Sequence, residues 1–434
     1  MKRKDVILYG LLNSFVLGAF PVMGRAQEAL VLTLEDCRGR AVEQNTQLRN
    51  ASLSVDAACQ VKSEAFTNYF PNLSATGLAY NANKGLLEMD MGPEMSMSML
   101  KNGVLGGITL TQPVLAGGQI VNGNRLAQVG VEVSELQQNQ TEKEVRQTVE
   151  SYYWQVVTLS EKKKTLQAIH DMLGSLCTDV ETAVNAGLTT RNDLLQVQLR
   201  RNDIESSMLN VDNGLSLSKM VLAQYIGLTG TPIEVVTTEP IDTLPVFPSE
   251  LYVDHREALL STPEYKLLES NVKACTLERK MAVGKNLPTV GVGVGYMYDN
   301  LMDKDHPFGI AFVSGSVPIS GWWGGSHEVR RRRADENIAR NDLTDRSDLL
   351  VINMQHLWDE VNDAYRKIII AHNSIEQSTE NLRLNQDCYK AGMTKMSDLL
   401  DAQMLYQQSR DNLVETYATF QLKKLEYRQA TGQD

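Results

Sequence analysis

One phrase occurs twice in this chain, and it narrows the fold more than any other feature. AGLTTRNDLLQVQ runs from Ala186 to Gln198 and AGMTKMSDLLDAQ from Ala391 to Gln403, with Ala, Gly, Thr, Asp, Leu, Leu and Gln held in place. Pro113 and Pro318 stand at the same offset. Upstream the offset lengthens, so that Ala41 aligns with Ala258, and Pro71 in YFPNLSATGLAY (Tyr69–Tyr80) with Pro288 in KNLPTVGVGVGY (Lys285–Tyr296). Internal similarity over a long period implies one structural unit used twice. The extra residues of the first copy, including EMDMGPEMSMSML, read as a surface loop insertion. The units are expected over residues 27–228 and 251–434, joined at 229–250 by a Pro-rich linker whose four prolines favour extended chain.

Each unit reads as helix, strand pair, long helix, tip and shorter helix. The helices are expected over 33–67, 119–186 and 190–226, then 251–285, 326–390 and 395–430, and the strands over 72–82, 103–114, 289–299 and 308–319. At 1.5 Å per residue each long helix extends roughly 100 Å, too long for a small globule. A heptad seam shows what covers it: Val145, Val149, Tyr152, Val156, Leu159, Lys163, Leu166, His170, Leu173, Cys177, Val180 and Val184 alternate spacings of four and three. Leu350, Met354, Leu357, Val361, Ala364, Ile368, Ala371, Ile375, Ser378, Leu382, Asn385 and Tyr389 repeat the pattern.

The strands alternate instead with period two. Val290, Val292, Val294, Tyr296 and Tyr298 oppose Thr289, Gly291, Gly293 and Gly295, while Ile108 and Leu110 oppose Thr109 and Thr111. Ile310 and Phe312 are expected to continue the apolar face in the last strand, opposite Gly309 and Ala311. Such a wall suits lipid on one side and water on the other. Four strands cannot close a barrel in lipid, because open edges leave backbone groups unsatisfied. Three chains supply twelve strands, so oligomerisation is expected from the edges.

Composition narrows the class further. Hydrophobic residues make up 42% of the chain and aromatics only 6%, which favours long helices over an aromatic-rich enzyme core. A net charge of −11 argues against a nucleic-acid partner, since phosphate binding needs a concentrated cationic face. Lys2-Arg3-Lys4, an interrupted apolar stretch and Gly24-Arg25-Ala26 describe a signal peptide over residues 1–26. The alternative, a membrane anchor, is opposed by Asn13, Ser14 and Pro21 within that stretch. Five cysteines in no metal-binding spacing read as packing residues.

Taken together, the doubled AGxTxxxDLLxxQ tips, the FPNLS and LPTVG strand entries, and QPVLAGGQ with VPISGWWGG before the long helices resemble the TolC-like outer membrane efflux protein family. The resemblance implies an α+β membrane protein. Three chains would form a 12-stranded outer membrane β-barrel, four strands per chain, continued by a long α-helical coiled-coil barrel through the periplasm. It also implies a homotrimer embedded in outer membrane lipid that exports substrates passively, with no cofactor and no catalysis. Its partners would be a periplasmic adaptor (membrane fusion) protein and an inner membrane transporter of RND or ABC type, in tripartite efflux or type I secretion.

The acidic tips then gain a meaning. Gly187 and Gly392 break the helices, and Thr190 or Thr394 can start the next ones. Asp398 and Asp401 lie three apart on one helical face, and by resemblance match the acidic pair lining the family's periplasmic aperture. Threefold symmetry would gather six carboxylates there, attracting cations and disfavouring anions. Helix N-terminal charge stabilisation is the plainer role open to Asp193 and Asp398. The first copy has Asp193 but Gln196 in place of Asp401, which assigns the second tip to the lumen. By resemblance, Asp193 and Tyr389 match one latch between neighbouring hairpins. A second latch uses an Arg this chain lacks: Thr394 stands there, and the next residue, Lys395, is the candidate to take that latch role in its place.

Other signals point to no chemistry. GVGVG (Gly291–Gly295) has no following helix to bind phosphate, and Arg330–Arg333 point all around a helix axis, so they form no single basic face. They fit a membrane-proximal collar or ordinary solvation. The six histidines show no ligand spacing, no group of residues carries the companions catalysis needs, and Trp322 with Trp323 fits an interfacial anchor. A soluble periplasmic coiled-coil scaffold is the competing reading, which explains the seams but not the strands.

Overall fold

The computed structural model describes residues 29–83, 87–90, 96–99, 102–237, 240–300, 305–319 and 321–433. The expected signal peptide therefore lies outside the described residues. The described residues begin with strand β1 (Leu30–Leu32), then helices α1 (Leu34–Gln44) and α2 (Thr46–Thr67), strand β2 (Asn72–Asn81), a hairpin β3 (Leu87–Asp90) and β4 (Ser96–Met99), and strand β5 (Asn102–Ala116). Helices α3 (Gln119–Asn185) and α4 (Arg191–Tyr225) follow, then β6 (Ile233–Val235), α5 (His255–Leu259), α6 (Pro263–Gly284), strands β7 (Thr289–Asp299) and β8 (His306–Ser316), and helices α7 (Gly321–Lys390) and α8 (Met396–Thr431).

Two expected helices are each divided. Asn45 adopts an extended backbone and accepts from the Gln47 amide at 2.8 Å, so it caps α2 and ends the run expected over 33–67. In the second half Thr262 caps α6 with Pro263 at its first position, which separates α6 from the short α5. The insertion expected as a loop contains the antiparallel pair β3 and β4.

The long helices bury the expected seams. Val145, Val149, Val156, Leu173 and Val180 are buried on α3, as are Met354, Val361, Ala364, Ile368 and Ala371 on α7. Two clusters result. One, at the waist, joins Val149, Trp154, Leu222, Val361, Tyr417 and Tyr427; the other, near the tips, joins Leu166, Leu173, Val197, Ile204, Met396 and Leu399. Segment 229–250 packs against the waist: Ile233 and Ile241 are buried there, β6 pairs in parallel with β1, and the Tyr153 hydroxyl donates to the Val236 carbonyl at 3.0 Å. Away from the waist, α6 is tied to α7 by Glu336, which accepts from Arg279 Nε at 2.5 Å, Arg340 Nη2 at 2.9 Å and the Thr276 hydroxyl at 3.0 Å. Those donors, Arg340 foremost, hold its carboxyl down to about 2.

The large sheet has the order β2-β5-β7-β8, antiparallel throughout, with β2 and β8 as edges. Residues paired across antiparallel strands share a face. One face therefore collects Leu73, Ile108, Leu110, Val292, Val294, Tyr296 and Val313, with Leu73 68%, Tyr296 63% and Val313 75% exposed. The other holds Ser74, Thr76, Thr109 and Thr111, where the Ser74 and Thr109 hydroxyls lie 2.9 Å apart. The register corrects one expectation: Ile310 pairs with Gly295 and Phe312 with Gly293, so both lie on the hydroxyl-bearing face and not with Val292 and Val294. The Phe312 ring occupies the space over Gly293 that a Cβ would need.

Candidate functional site at the helix tips

Both tips are built by the same backbone device. After α3, Gly187 takes φ 72°, its amide donates to the Val184 carbonyl at 3.0 Å, and the Leu188 amide reaches back to Ala183 at 2.8 Å. After α7, Gly392 takes φ 71°, its amide donates to Tyr389 at 2.9 Å, and the Met393 amide reaches Cys388 at 2.8 Å. This paired closure satisfies the last carbonyls of a helix and requires a left-handed residue, which glycine supplies without strain.

The acidic residues after the turns sit in matching pockets of donors. Asp193 Oδ2 accepts from the Thr189 hydroxyl at 2.6 Å, the Thr190 hydroxyl at 2.9 Å and the Thr190 amide at 3.3 Å. Those bonds, Thr189 first, hold its carboxyl below the usual range. Asp398 Oδ2 accepts from the Thr394 hydroxyl at 2.9 Å and the Lys395 amide at 3.3 Å, with Ser397 donating to Oδ1 at 3.2 Å. Thr394 is again the first cause of its lowered pKa. Thr394 does not start α8, contrary to expectation: Lys395 holds the cap position, and its ammonium has no lone pair to offer the helix amides. Asp401, one turn on, is exposed.

Tyr389 and Asp193 line one hollow between the tips, together with Thr189. The Tyr389 phenol lies close to Thr189, whose hydroxyl donates to Asp193 at 2.6 Å. Burial is the main cause that raises the phenol's pKa, and the Asp193 charge adds to it. Thr189 aligns with Thr394 in the doubled phrase, and that repetition was the available signal. A second unforeseen link joins the outer helices: Arg200 on α4 donates from Nε to Gln403 Oε1 at 2.9 Å and from Nη2 to Gln407 Oε1 at 3.1 Å on α8.

The collar residues are placed at the start of α7. Arg330, Arg331 and Arg333 are exposed, whereas Arg332 bridges to Glu278 on α6 at 2.5 Å. Trp323 is 77% exposed beside the sheet's end, and the Trp322 side chain lies outside the described residues. Among the described residues no helix is long and apolar enough to cross a membrane.

Residues 38–228 match the sequence profile of the Outer membrane efflux protein family. No curated protein matches the chain. The fold is similar to that of CusC at 13% identity, covering 92% of this chain and 91% of that one with a TM-score of 0.78. It is likewise similar to the outer membrane protein VceC from Vibrio cholerae at 14% identity, covering 92% and 96%, TM-score 0.75. The CmeC outer membrane channel of Campylobacter jejuni matches at 12% identity, covering 92% and 85%, TM-score 0.77. By sequence over its first half and by fold over nearly its whole length, this chain is similar to the TolC-like outer membrane efflux proteins.

Proposed function

We propose that the chain is one third of a trimeric exit duct, in which twelve strands close a barrel in the outer membrane and the long helices continue it as a tunnel. An outer membrane location with a large periplasmic portion, and transport in place of catalysis, accord with the family match. One observation carries the finer reading: a four-stranded sheet whose edges, β2 and β8, pair with no further strand among the described residues, bearing an exposed apolar face, stands at the end of helices 67 and 70 residues long. Lipid is the occupant that suits that face, and β2 of one copy is the partner that suits β8 of the next. The face bearing Ser74, Thr109 and Thr111 then turns to the lumen.

In this reading substrates enter at the helix tips, delivered by a periplasmic adaptor and an inner membrane transporter, and the tube itself conducts passively. Asp398 and Asp401 from three copies form the entrance ring. Asp401 is the residue available to act on passing ions, because Asp398 is engaged by Thr394 and the Lys395 amide. Tyr389, Thr189 and Asp193 form the latch that holds the second hairpin against the first.

Recording from the protein in planar bilayers tests both parts. Asp401→Gln is expected to lower cation-over-anion selectivity severalfold while leaving the protein folded, since Gln already stands at the equivalent position of the first tip. Tyr389→Phe and Asp193→Ala are expected to raise open probability. Unchanged gating in both would reject the latch, and a monomer without ion passage would reject the duct.

A further inference from the structure

The insertion EMDMGPEMSMSML is a sequence motif that the duct reading leaves unused. Five of the chain's 17 methionines stand in it, at 89, 91, 95, 97 and 99, two residues apart within each half. Strands favour β-branched and aromatic residues, and LEMD and SMSM contain neither. Their pattern therefore answers to something other than strand formation.

Register turns the pattern into a face. Met89 pairs with Met97 and Leu87 with Met99, while Glu88 pairs with Ser98 and Asp90 with Ser96. Residues paired across antiparallel strands share a face, as do residues two apart on one strand. Met89, Met97 and Met99 thus occupy one face of the hairpin, and Glu88, Asp90, Ser96 and Ser98 the other. Paired positions are about 5 Å apart and alternate positions on a strand about 7 Å. Methionine, unbranched with three rotatable bonds, is long enough for three such positions to serve a single ion. Among the described residues β3 and β4 form a two-stranded sheet of their own.

The chemistry of that face selects its ligand. Thioethers are neutral, soft donors that suit Cu(I) and, by the same softness, Ag(I). Residues 84–101 contain no His and no Cys, the donors that Zn(II) and Cu(II) favour. Glu88 and Asp90 on the opposite face supply the negative charge that neutral sulfurs lack. Asn81 of β2 pairs with Asn102 of β5 at the end of the large sheet away from α2 and α3, and the hairpin lies between those two residues in the chain.

We propose that the face of the hairpin bearing Met89, Met97 and Met99 binds a soft monovalent cation, Cu(I) or Ag(I). Binding follows from the hairpin alone. Its position at the outer mouth, where it meets ions outside the cell, rests on the duct reading.

Sulfoxidation tests the site, because a thioether whose lone pair is given to a metal is withdrawn from oxidants. The full protein in lipid nanodiscs, its accessible thiols blocked with N-ethylmaleimide, is treated with dilute hydrogen peroxide in chloride-free buffer, and oxidised methionines are mapped by peptide mass spectrometry. Silver nitrate is expected to slow oxidation of Met89, Met97 and Met99 about tenfold. Met393, exposed at the second tip, is expected to oxidise at an unchanged rate, and zinc nitrate to protect none of them. Met97→Leu keeps the apolar volume and is expected to raise the silver concentration that protects Met89 and Met99 about tenfold. No protection by silver, equal protection by zinc, or an unchanged silver requirement in Met97→Leu overturns the site. Absence of oxidation at the three residues before any metal is added means that lipid or protein covers the face, and overturns it equally. In intact cells, a maleimide polymer too large to cross the outer membrane is expected to label Ser98→Cys above the wild-type level. Silver protection without such labelling overturns the outward placement and leaves the cation site intact.

Discussion

At the first tip Thr190 caps α4 with its own hydroxyl, and α3 enters the turn with Leu173 and Val180 buried. At the second, Lys395 holds the cap with no acceptor, and α7 enters with Ser378 and Asn385 at the same seam positions. Those two polar side chains bond back to their own helix, Ser378 to the Ile375 carbonyl at 3.2 Å and Asn385 to Asn381 at 2.9 Å, and supply less apolar contact than the leucine and valine of the first seam. The turns themselves are alike, because glycine and the backbone set them. Two copies can thus keep one turn while differing in how firmly the turn is held, and the second is the looser.

The comparison breaks most visibly in the seam. Leu173→Ala is expected to destabilise the first hairpin by about 3 kcal/mol, the cost of emptying a fully buried leucine site, whereas Ser378→Ala is expected to stay within about 0.5 kcal/mol. Peptide-resolved hydrogen exchange of the two tips measures this, and equal effects would remove the asymmetry. A smaller change sharpens it from the other side: Lys395→Thr supplies the missing cap acceptor and is expected to slow exchange at the start of α8 by about 1 kcal/mol, with Thr190→Ala costing α4 a similar amount.

Acid acts on both tips. The folded carboxyls of Asp193 and Asp398 titrate below their unfolded range, so their contribution is fully present above about pH 4 and is lost as pH falls through the lowered values. Exchange at Arg191–Asp193 and Met396–Asp398 is expected to accelerate together below that range. Acceleration at only one would show that the two donor pockets are not equivalent.

How far the sequence reached depended on whether a feature marks itself. The alternating Val and Gly of β7 announce a strand from Thr289 to Asp299 without reference to anything else, and Gly187 and Gly392 announce turns. The face of β8 does not announce itself: Phe308, Ile310 and Phe312 alternate correctly, but which side they take is set by their pairing with Gly293, Gly295 and Met297. The break at Asn45 was hidden because its neighbours favour helix, and the cap that ends α1 also receives the chain at Tyr225 through a 3.4 Å bond from Asn45 Nδ2. At the tips, Arg200 acquires Gln403 and Gln407 only when α4 and α8 are laid side by side.

The parallel pairing of β1 with β6 has a consequence for biogenesis. Leu30, Val31 and Leu32 find their partners in Ile233, Glu234 and Val235, some two hundred residues downstream. The earliest segment of the described chain therefore stays unfinished until the middle of the polypeptide has followed it, and a product truncated at residue 228 keeps the family-matching region yet leaves its first strand exposed to chaperones and proteases.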